Sequence, residues 1–376
     1  MIRVRARWRW LVVVGGVAVL CCLPVLASAL PVSVPRLTPF GLRERILGSA
    51  PLAYAGYAES DATFGLPSLE GLQNLTDLLD GVTRMRVWQA APDRWRVDVL
   101  SDVAERDQYQ LGGTGYLWDS GTQLLTRVNG QPAVRLPQPD DLVPPALAIR
   151  LLNEAGPRAK LSLLPPQRVA GRGAAGLRIV PASPASTIGQ VDIWADPATG
   201  LPLRVEILSR SSRVPALETQ FLQVSPWRPD PGVLTPRRGP GTGYSVTTAS
   251  NLTSVLHNLD PEVLPGSLAG LPRRPSPQQY GEVGVYGGGL ATFVVLTFRG
   301  GTGLTLLNDA RSAGGAWLTD PNGVGVLASA PLVNLILMHP FRSRDTFLLA
   351  GLVGKDTLER AAAALAAKPD QDNLGL

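Results

Sequence analysis

The sequence has little of the residue types that catalysis and disulfide formation need. Its two cysteines, Cys21 and Cys22, lie in the amino-terminal apolar run, and its two histidines are His257 and His339. The remainder of the chain therefore has no thiol nucleophile, no disulfide and no material for a Cys/His zinc site. No serine stands in a Gly-x-Ser-x-Gly elbow. We predict a protein that is not an enzyme and that has no metal or cofactor.

The net positive charge is also small once the position of the arginines is considered. Lysine occurs only at Lys160, Lys355 and Lys368. The formal net charge is +5, but four arginines lie within the first nine residues, and without them the charge falls to +1. A basic surface for nucleic acid is therefore not expected, and we predict no nucleic-acid partner.

The amino terminus has the layout of an export segment. Arg3 to Arg9 alternate with uncharged residues, residues 11–30 form an uncharged, mostly apolar run, and Ala27-Ser28-Ala29 has the small-x-small form of a cleavage site. Residues 1–29 are predicted to be a signal peptide or a membrane anchor, because a run of this length can also span a bilayer. Either alternative places the rest of the chain outside the cytoplasm, in a secreted or periplasm-like space.

The composition and the local patterns predict many short strands. The chain has 40 glycines, 34 prolines and only 17% charged residues, which suits strands and turns better than long helices. In Arg94–Val99 apolar and charged residues alternate, as in a half-buried antiparallel strand. Asn129-Gly130 is the signal of a tight hairpin. We predict an α+β fold, in which a curved antiparallel half-barrel sheet is covered by helices and followed by a smaller α+β domain.

The domain boundaries follow from changes in composition. Residues 142–155 switch to helical spacing, which predicts a helix across the sheet. From Trp227 onward proline, glycine and arginine replace the apolar periodicity. We assign residues 40–235 to the first domain, 236–244 to a linker and 245–376 to the small carboxy-terminal domain.

Two motifs with catalytic associations have simpler interpretations. Gly171 to Gly176 matches the dinucleotide-binding string, but a strand-like segment follows it where that motif needs a helix, so we predict a hairpin loop. The pair Asp140-Asp141 is better explained by exposed loop charges than by acid–base chemistry.

The distinctive feature that remains is a set of apolar and aromatic residues at alternating strand positions. One interpretation is a core that the helices fill. The other is an apolar cavity for a lipid or acyl chain, and the spacing does not choose between them. The candidate ligand-binding residues are Trp88, Trp95, Val97, Val99, Trp118, Val191, Ile193, Leu203, Val205 and Ile207.

A family resemblance rests on short motifs in a fixed order. They are Tyr54-Ala55-Gly56-Tyr57, Arg84 to Trp88, Pro92 to Asp98, Tyr116 to Asp119, Val191 to Asp196 and Gly200 to Arg204. Over residues 40–235 this succession resembles the LolA-like superfamily, which includes the outer-membrane lipoprotein carriers and the amino-terminal domain of RseB/MucB. Tyr286 to Val295, Gly314 to Trp317 and Lys355 to Leu358 are similar to the small carboxy-terminal domain of the RseB/MucB proteins.

The resemblance implies a half-open barrel with a hydrophobic cavity and no enzymatic activity. It also implies carriage of acylated molecules, or their sensing in envelope stress coupled to sigma-factor regulation. Our leading hypothesis is an exported protein that binds lipid or acylated, lipoprotein-type ligands as carrier or sensor. The alternative is a regulator that binds an anti-sigma factor or another membrane protein and has no lipid ligand.

Overall fold

A computed structural model describes residues 32–64, 78–101, 104–130, 137–248, 264–275 and 283–368. Within these ranges, twelve strands form one large sheet. They are β1 (Tyr54–Thr63), β2 (Asp80–Ala91), β3 (Arg94–Leu100), β4 (Glu105–Leu111), β5 (Thr114–Asp119), β6 (Leu124–Asn129), β7 (Lys160–Val169), β8 (Arg172–Val180), β9 (Ile188–Ala195), β10 (Pro202–Ser209), β11 (Pro215–Ser225) and β12 (Gly243–Thr248).

The large sheet is curved and open. Its strand order is β12-β6-β5-β4-β3-β2-β1-β11-β10-β9-β8-β7, so the described strands at its two ends do not pair with each other. Neighbours are antiparallel except β12, which runs parallel to β6. The predicted curved antiparallel sheet is confirmed.

The face that we call inner is apolar over most of the sheet. Register places Ala58 opposite Met85, and Met85 opposite Val99, so these side chains share one face. The outer face carries the alternate residues, among them Trp88 opposite Arg96. The period-2 pattern of the strands produces this division.

Two helices cover the inner face. Helix α1 (Pro39–Gly48) begins after Thr38, whose hydroxyl accepts a hydrogen bond from the Gly41 backbone N–H at 3.0 Å, the usual N-cap interaction. Helix α2 (Pro144–Ala155) follows a single 3-10 turn at Pro139–Leu142. Prolines in the first turn of each helix cost no hydrogen bond, since those N–H groups have no partner within the helix.

The second unit is built on a smaller sheet. The remaining elements are β13 (Ser267–Leu268), β14 (Leu271–Pro272), β15 (Val283–Gly288), β16 (Ala291–Arg299), α3 (Gly301–Ser312), β17 (Ala316–Asp320), β18 (Gly323–Ser329), β19 (Asn334–Pro340), β20 (Asp345–Gly351) and α4 (Lys355–Ala366). Strands β15 to β20 form this sheet in the order β15-β16-β20-β19-β18-β17 and are all antiparallel. This unit confirms the predicted smaller α+β domain.

The two units are joined by direct contacts. Leu290, at the turn between β15 and β16, and Leu332 are buried in the hydrophobic cluster of the first unit. The Ser186 hydroxyl donates to the Leu290 carbonyl, and the Thr187 hydroxyl donates to the Leu332 carbonyl, each at 2.5 Å. The junction therefore combines apolar burial with hydrogen bonds from side-chain hydroxyls of the first unit to backbone carbonyls of the second.

The export segment stays a prediction. No helix within the described ranges combines the length and apolar character needed to span a bilayer. Residues 1–29, assigned to a signal peptide or anchor, lie outside those ranges.

Candidate functional site

Eight of the ten predicted ligand-binding residues come together on the inner face. They belong to one hydrophobic cluster with the two covering helices. Six are buried, namely Val97, Val191, Ile193, Leu203, Val205 and Ile207, whereas Trp95 and Val99 are half-buried at its margin.

The other two predicted residues lie on the outer face. Trp88 is opposite Arg96 in the β2–β3 pair, and Trp118 is opposite Asp107 in the β4–β5 pair. The Arg96 guanidinium lies 5.2 Å from the centroid of the Trp88 ring, within the range of a cation–π contact. The alternation of Arg84, Arg86 and Trp88 along β2 was the sequence signal for this placement.

The helices fill the inner face over the buried residues. Leu42 and Ile46 of α1 pack there together with Leu151 and Leu152 of α2, and all four side chains are at most 6% exposed. The Thr219 hydroxyl donates to the Leu142 carbonyl at 2.6 Å, which fixes the start of α2 against the sheet. This part of the inner face is therefore a packed core.

An open groove lies where the packed core ends. It has a volume of about 400 Å³ and lies beside β3, β4, β5 and β6. Its apolar lining includes Trp95, Leu117 and Val128, and Leu117 is 37% exposed. In size this groove falls within the range of small-ligand sites. Sequence reasoning did not select Leu117 or Val128, because only the strand register brings them beside Trp95.

The groove has one polar wall with an unused acceptor. The Gln108 side-chain amide donates to the side-chain oxygen of Gln138. Its own oxygen, Gln108 Oε1, is buried and has no hydrogen-bond partner. The Gln138 backbone N–H donates to Asp141 at 2.9 Å, and Asp141 also forms an ion pair with Arg150 of α2. The wall is thus anchored to the covering helix and offers an acceptor to a ligand.

A buried polar cluster lies on the outer face. Arg96 Nε donates to Asp98 at 2.5 Å, and its terminal nitrogen donates to Asp107 at 2.8 Å. Burial raises the pKa of Asp98 to about 7, against the opposing effect of Arg96. Burial also raises the pKa of Asp107 and that of Tyr109, whose hydroxyl donates to Asp107 at 3.1 Å. Two carboxylates here share one guanidinium in a water-poor site.

Residues 226–242, which we call the strap, cover this cluster. Arg96 donates to the Val233 carbonyl at 3.3 Å, and Leu234 is only 1% exposed. A cavity of about 640 Å³ lies between the strap and the sheet, with Asp107 and Trp118 in its lining. The strap leads directly into β12 at the edge of the sheet.

A second outer cleft, of about 680 Å³, lies over β8, β9 and β10. Each of its two acidic residues is paired with an arginine: Arg178 forms two hydrogen bonds with Asp192, at 2.8 and 2.6 Å. Glu206 pairs with Arg204 at 2.5 Å, and burial raises the pKa of Glu206. These pairs account for the two carboxylates of the cleft, whereas Arg210 and Arg213 also line it.

The motifs with catalytic associations have structural positions. The string from Gly171 to Gly176 lies at the β7–β8 hairpin, where Val169 pairs with Arg172. His339 is half-buried, and its Nδ1 lies 3.1 Å from the Thr346 hydroxyl. His257 lies outside the described residues.

Comparison with known proteins gives similarities of structure only. Neither protein-family models nor curated proteins match the sequence. MucB in complex with MucA from Pseudomonas aeruginosa is 19% identical, with a TM-score of 0.48, over 86% of this chain and 96% of that one. MucB alone is 18% identical, with a TM-score of 0.40, over 85% and 94%. A LolA superfamily protein from Nitrosomonas europaea is 12% identical, with a TM-score of 0.24, over 54% and 99%.

The structures to which this chain is similar thus include MucB and a LolA superfamily protein, the two groups that the sequence motifs resemble. At 19% identity or less, this similarity concerns the fold alone. It identifies neither a ligand nor a partner for this chain.

Proposed function

We propose that this chain is a non-catalytic extracytoplasmic binding protein that holds an acyl chain in the inner-face groove. The observation that carries the proposal is the open groove beside a packed core, with Trp95, Leu117 and Val128 in its lining. Apolar burial contributes about 25 cal/mol per Å². Affinity should therefore depend on how much of the chain the groove covers, and little on the chemistry of the chain.

The polar wall favours an acylated protein or peptide over a free fatty acid. The unpartnered Gln108 Oε1 needs a donor, and leaving a buried acceptor unsatisfied costs about 1–3 kcal/mol. A peptide attached to the acyl chain supplies amide N–H donors close to the apolar group. A fatty-acid carboxylate has no such donor. The proposed ligand class is thus the lipoprotein type.

Leu117→Asp should weaken binding of a palmitoylated lipopeptide by at least about tenfold, since a carboxylate in the apolar part of the groove lining must be desolvated when the acyl chain enters. The measurement is a titration followed by Trp fluorescence, with native mass spectrometry to detect a bound mass that organic extraction removes.

The matched control is Leu163→Asp. Leu163 is an exposed leucine on edge strand β7, 45% exposed against 37% for Leu117, and it does not line the groove. Its replacement should leave the affinity unchanged. Equal losses in the two variants, or wild-type protein that binds no lipopeptide, would refute the groove as an acyl site.

A second candidate function is the binding of a protein partner, and edge strand β12 favours it. Its residues are uncharged, and Tyr244 and Val246 are 38% and 56% exposed. At the opposite edge, β7 contains Pro165-Pro166 and a break in register, features that block strand addition. We infer that a partner, such as the extracytoplasmic segment of an anti-sigma factor or another membrane protein, can add a strand at β12.

A photo-crosslinker placed at Val246 should give a defined cross-link to one membrane protein in native membranes, because strand addition brings the partner backbone alongside β12. The same group at Leu163 on β7 should give none. Mass spectrometry of the excised bands is the measurement. Identical products from the two positions would contradict a specific role for β12.

A further inference from the structure

Three carboxylates converge on the outer face of the large sheet. Asp98, Glu105 and Asp107 each place one side-chain oxygen within 4.8 Å of the oxygens of the other two. The Asp98 and Asp107 side chains are 1% and 5% exposed, whereas Glu105 is 40% exposed. One side of the group thus remains open to solvent through Glu105.

Each of the two buried carboxylates has one oxygen that accepts hydrogen bonds and one that does not. Arg96 donates to Oδ1 of Asp98 and to Oδ2 of Asp107, and the Tyr109 hydroxyl also donates to Oδ2 of Asp107. The other oxygens, Asp98 Oδ2 and Asp107 Oδ1, are buried and have no hydrogen-bond partner. Arg96 therefore holds both carboxylates in place while their free oxygens remain available to a ligand, the arrangement of an outer-shell group at a metal site.

The group contains more carboxyl groups than guanidinium groups. The three carboxylates face two guanidinium groups, that of Arg96 and that of Arg86, whose nitrogen lies 4.0 Å from Glu105. Buried carboxylates are costly unless a proton or a cation joins them. Carboxylate oxygens with no nitrogen or sulfur ligand are typical of hard divalent cations, and calcium tolerates irregular geometry better than magnesium.

We propose that Asp98, Glu105 and Asp107 bind a calcium ion. The free oxygens of the two aspartates and the Glu105 carboxylate are the protein ligands, and water completes the 6–8 oxygens that calcium takes. Calcium would fix the aspartates that orient Arg96, and Arg96 donates to the strap at Val233. The ion would thereby stabilise the attachment of the strap and of β12, which follows it. This site is separate from the acyl groove on the inner face.

The test uses the full-length protein freed of metal by chelation. Titration with calcium chloride, followed by Trp fluorescence and by elemental analysis after equilibrium dialysis, should show one ion per chain. The dissociation constant should be about 10⁻⁴–10⁻³ M, as in extracellular modules. Glu105→Gln should weaken this binding by at least about tenfold. The same variant should unfold at an unchanged or higher temperature without metal, because a like charge near the aspartates is removed.

Glu59→Gln is the matched control, since Glu59 is another outer-face glutamate, 30% exposed and paired with Arg84 of β2. It should bind calcium as the wild type does. The proposal is overturned if the wild type binds no calcium at 10 mM, a level about tenfold above the expected dissociation constant. It is also overturned if Glu105→Gln binds calcium as tightly as Glu59→Gln does, or if magnesium binds as well as calcium.

Discussion

Replacing Arg96 by methionine should lower the free energy of unfolding by about 3–5 kcal/mol. The methionine can keep the contact with Trp88 and Tyr109, but it removes the only cation hydrogen-bonded to both Asp98 and Asp107 among the described residues. Two carboxylates would then remain buried without a counter-charge. Urea unfolding followed by circular dichroism, in the presence of a chelator, measures the change.

Two further variants separate this effect from a general loss of charge. Arg84→Met removes an arginine from a more exposed pair with Glu59 and should cost less than about 1 kcal/mol. Adding Asp98→Asn to Arg96→Met should recover part of the lost stability, because one buried charge is removed with it. If the Arg96→Met protein is as stable as the Arg84→Met protein, then Arg96 is not the counter-charge that stabilises the two buried aspartates.

Strands with apolar alternation could be predicted from the sequence. Arg94–Val99 was assigned correctly because Trp95, Val97 and Val99 face the core. The same pattern did not reveal that Asp98, on the other face, is fully buried. Asp98 accepts from Arg96, and Arg96 donates to Val233 of the strap, which lies more than 120 positions along the chain and carries no periodic signal.

Strand β4 and helix α3 show why other elements were not predicted. In β4, Glu105–Leu111, both faces are largely polar, since the inner face borders the groove and the outer face belongs to the cluster. Helix α3, Gly301–Ser312, begins in a glycine-rich segment that resembles a turn. In both cases tertiary contacts outweigh the local preference of the chain.

The candidate site could be predicted only in part, because tertiary contacts also decide which residues line it. Alternation within one strand identified Trp95 as an inner-face residue. The groove also needs Leu117, Val128 and Gln108, which are its neighbours only through the pairing of β3 to β6. Sequence periodicity assigns faces within a strand, whereas a site across strands depends on register.

The junction between the two units should make them unfold together, and Leu290→Ala should separate them. Leu290 belongs to the second unit in sequence but is 5% exposed within the core of the first. Unfolding of either unit therefore exposes it. Truncation of a buried leucine costs about 2–5 kcal/mol, and here the loss falls on the contact that joins the units. Differential scanning calorimetry should change from one transition to two.

Leu296→Ala is the control for this prediction. Leu296 lies on β16, which follows the turn that contains Leu290, and is 8% exposed, but it packs within the second unit only. Its truncation removes a similar apolar contact, so the melting temperature should fall while the single transition remains. Two transitions in both variants, or a single transition in both, would mean that Leu290 does not couple the units. If two transitions appear in Leu290→Ala alone, the coupling lies at the β15–β16 turn, because Leu290 in that turn contacts the first unit and Leu296 does not.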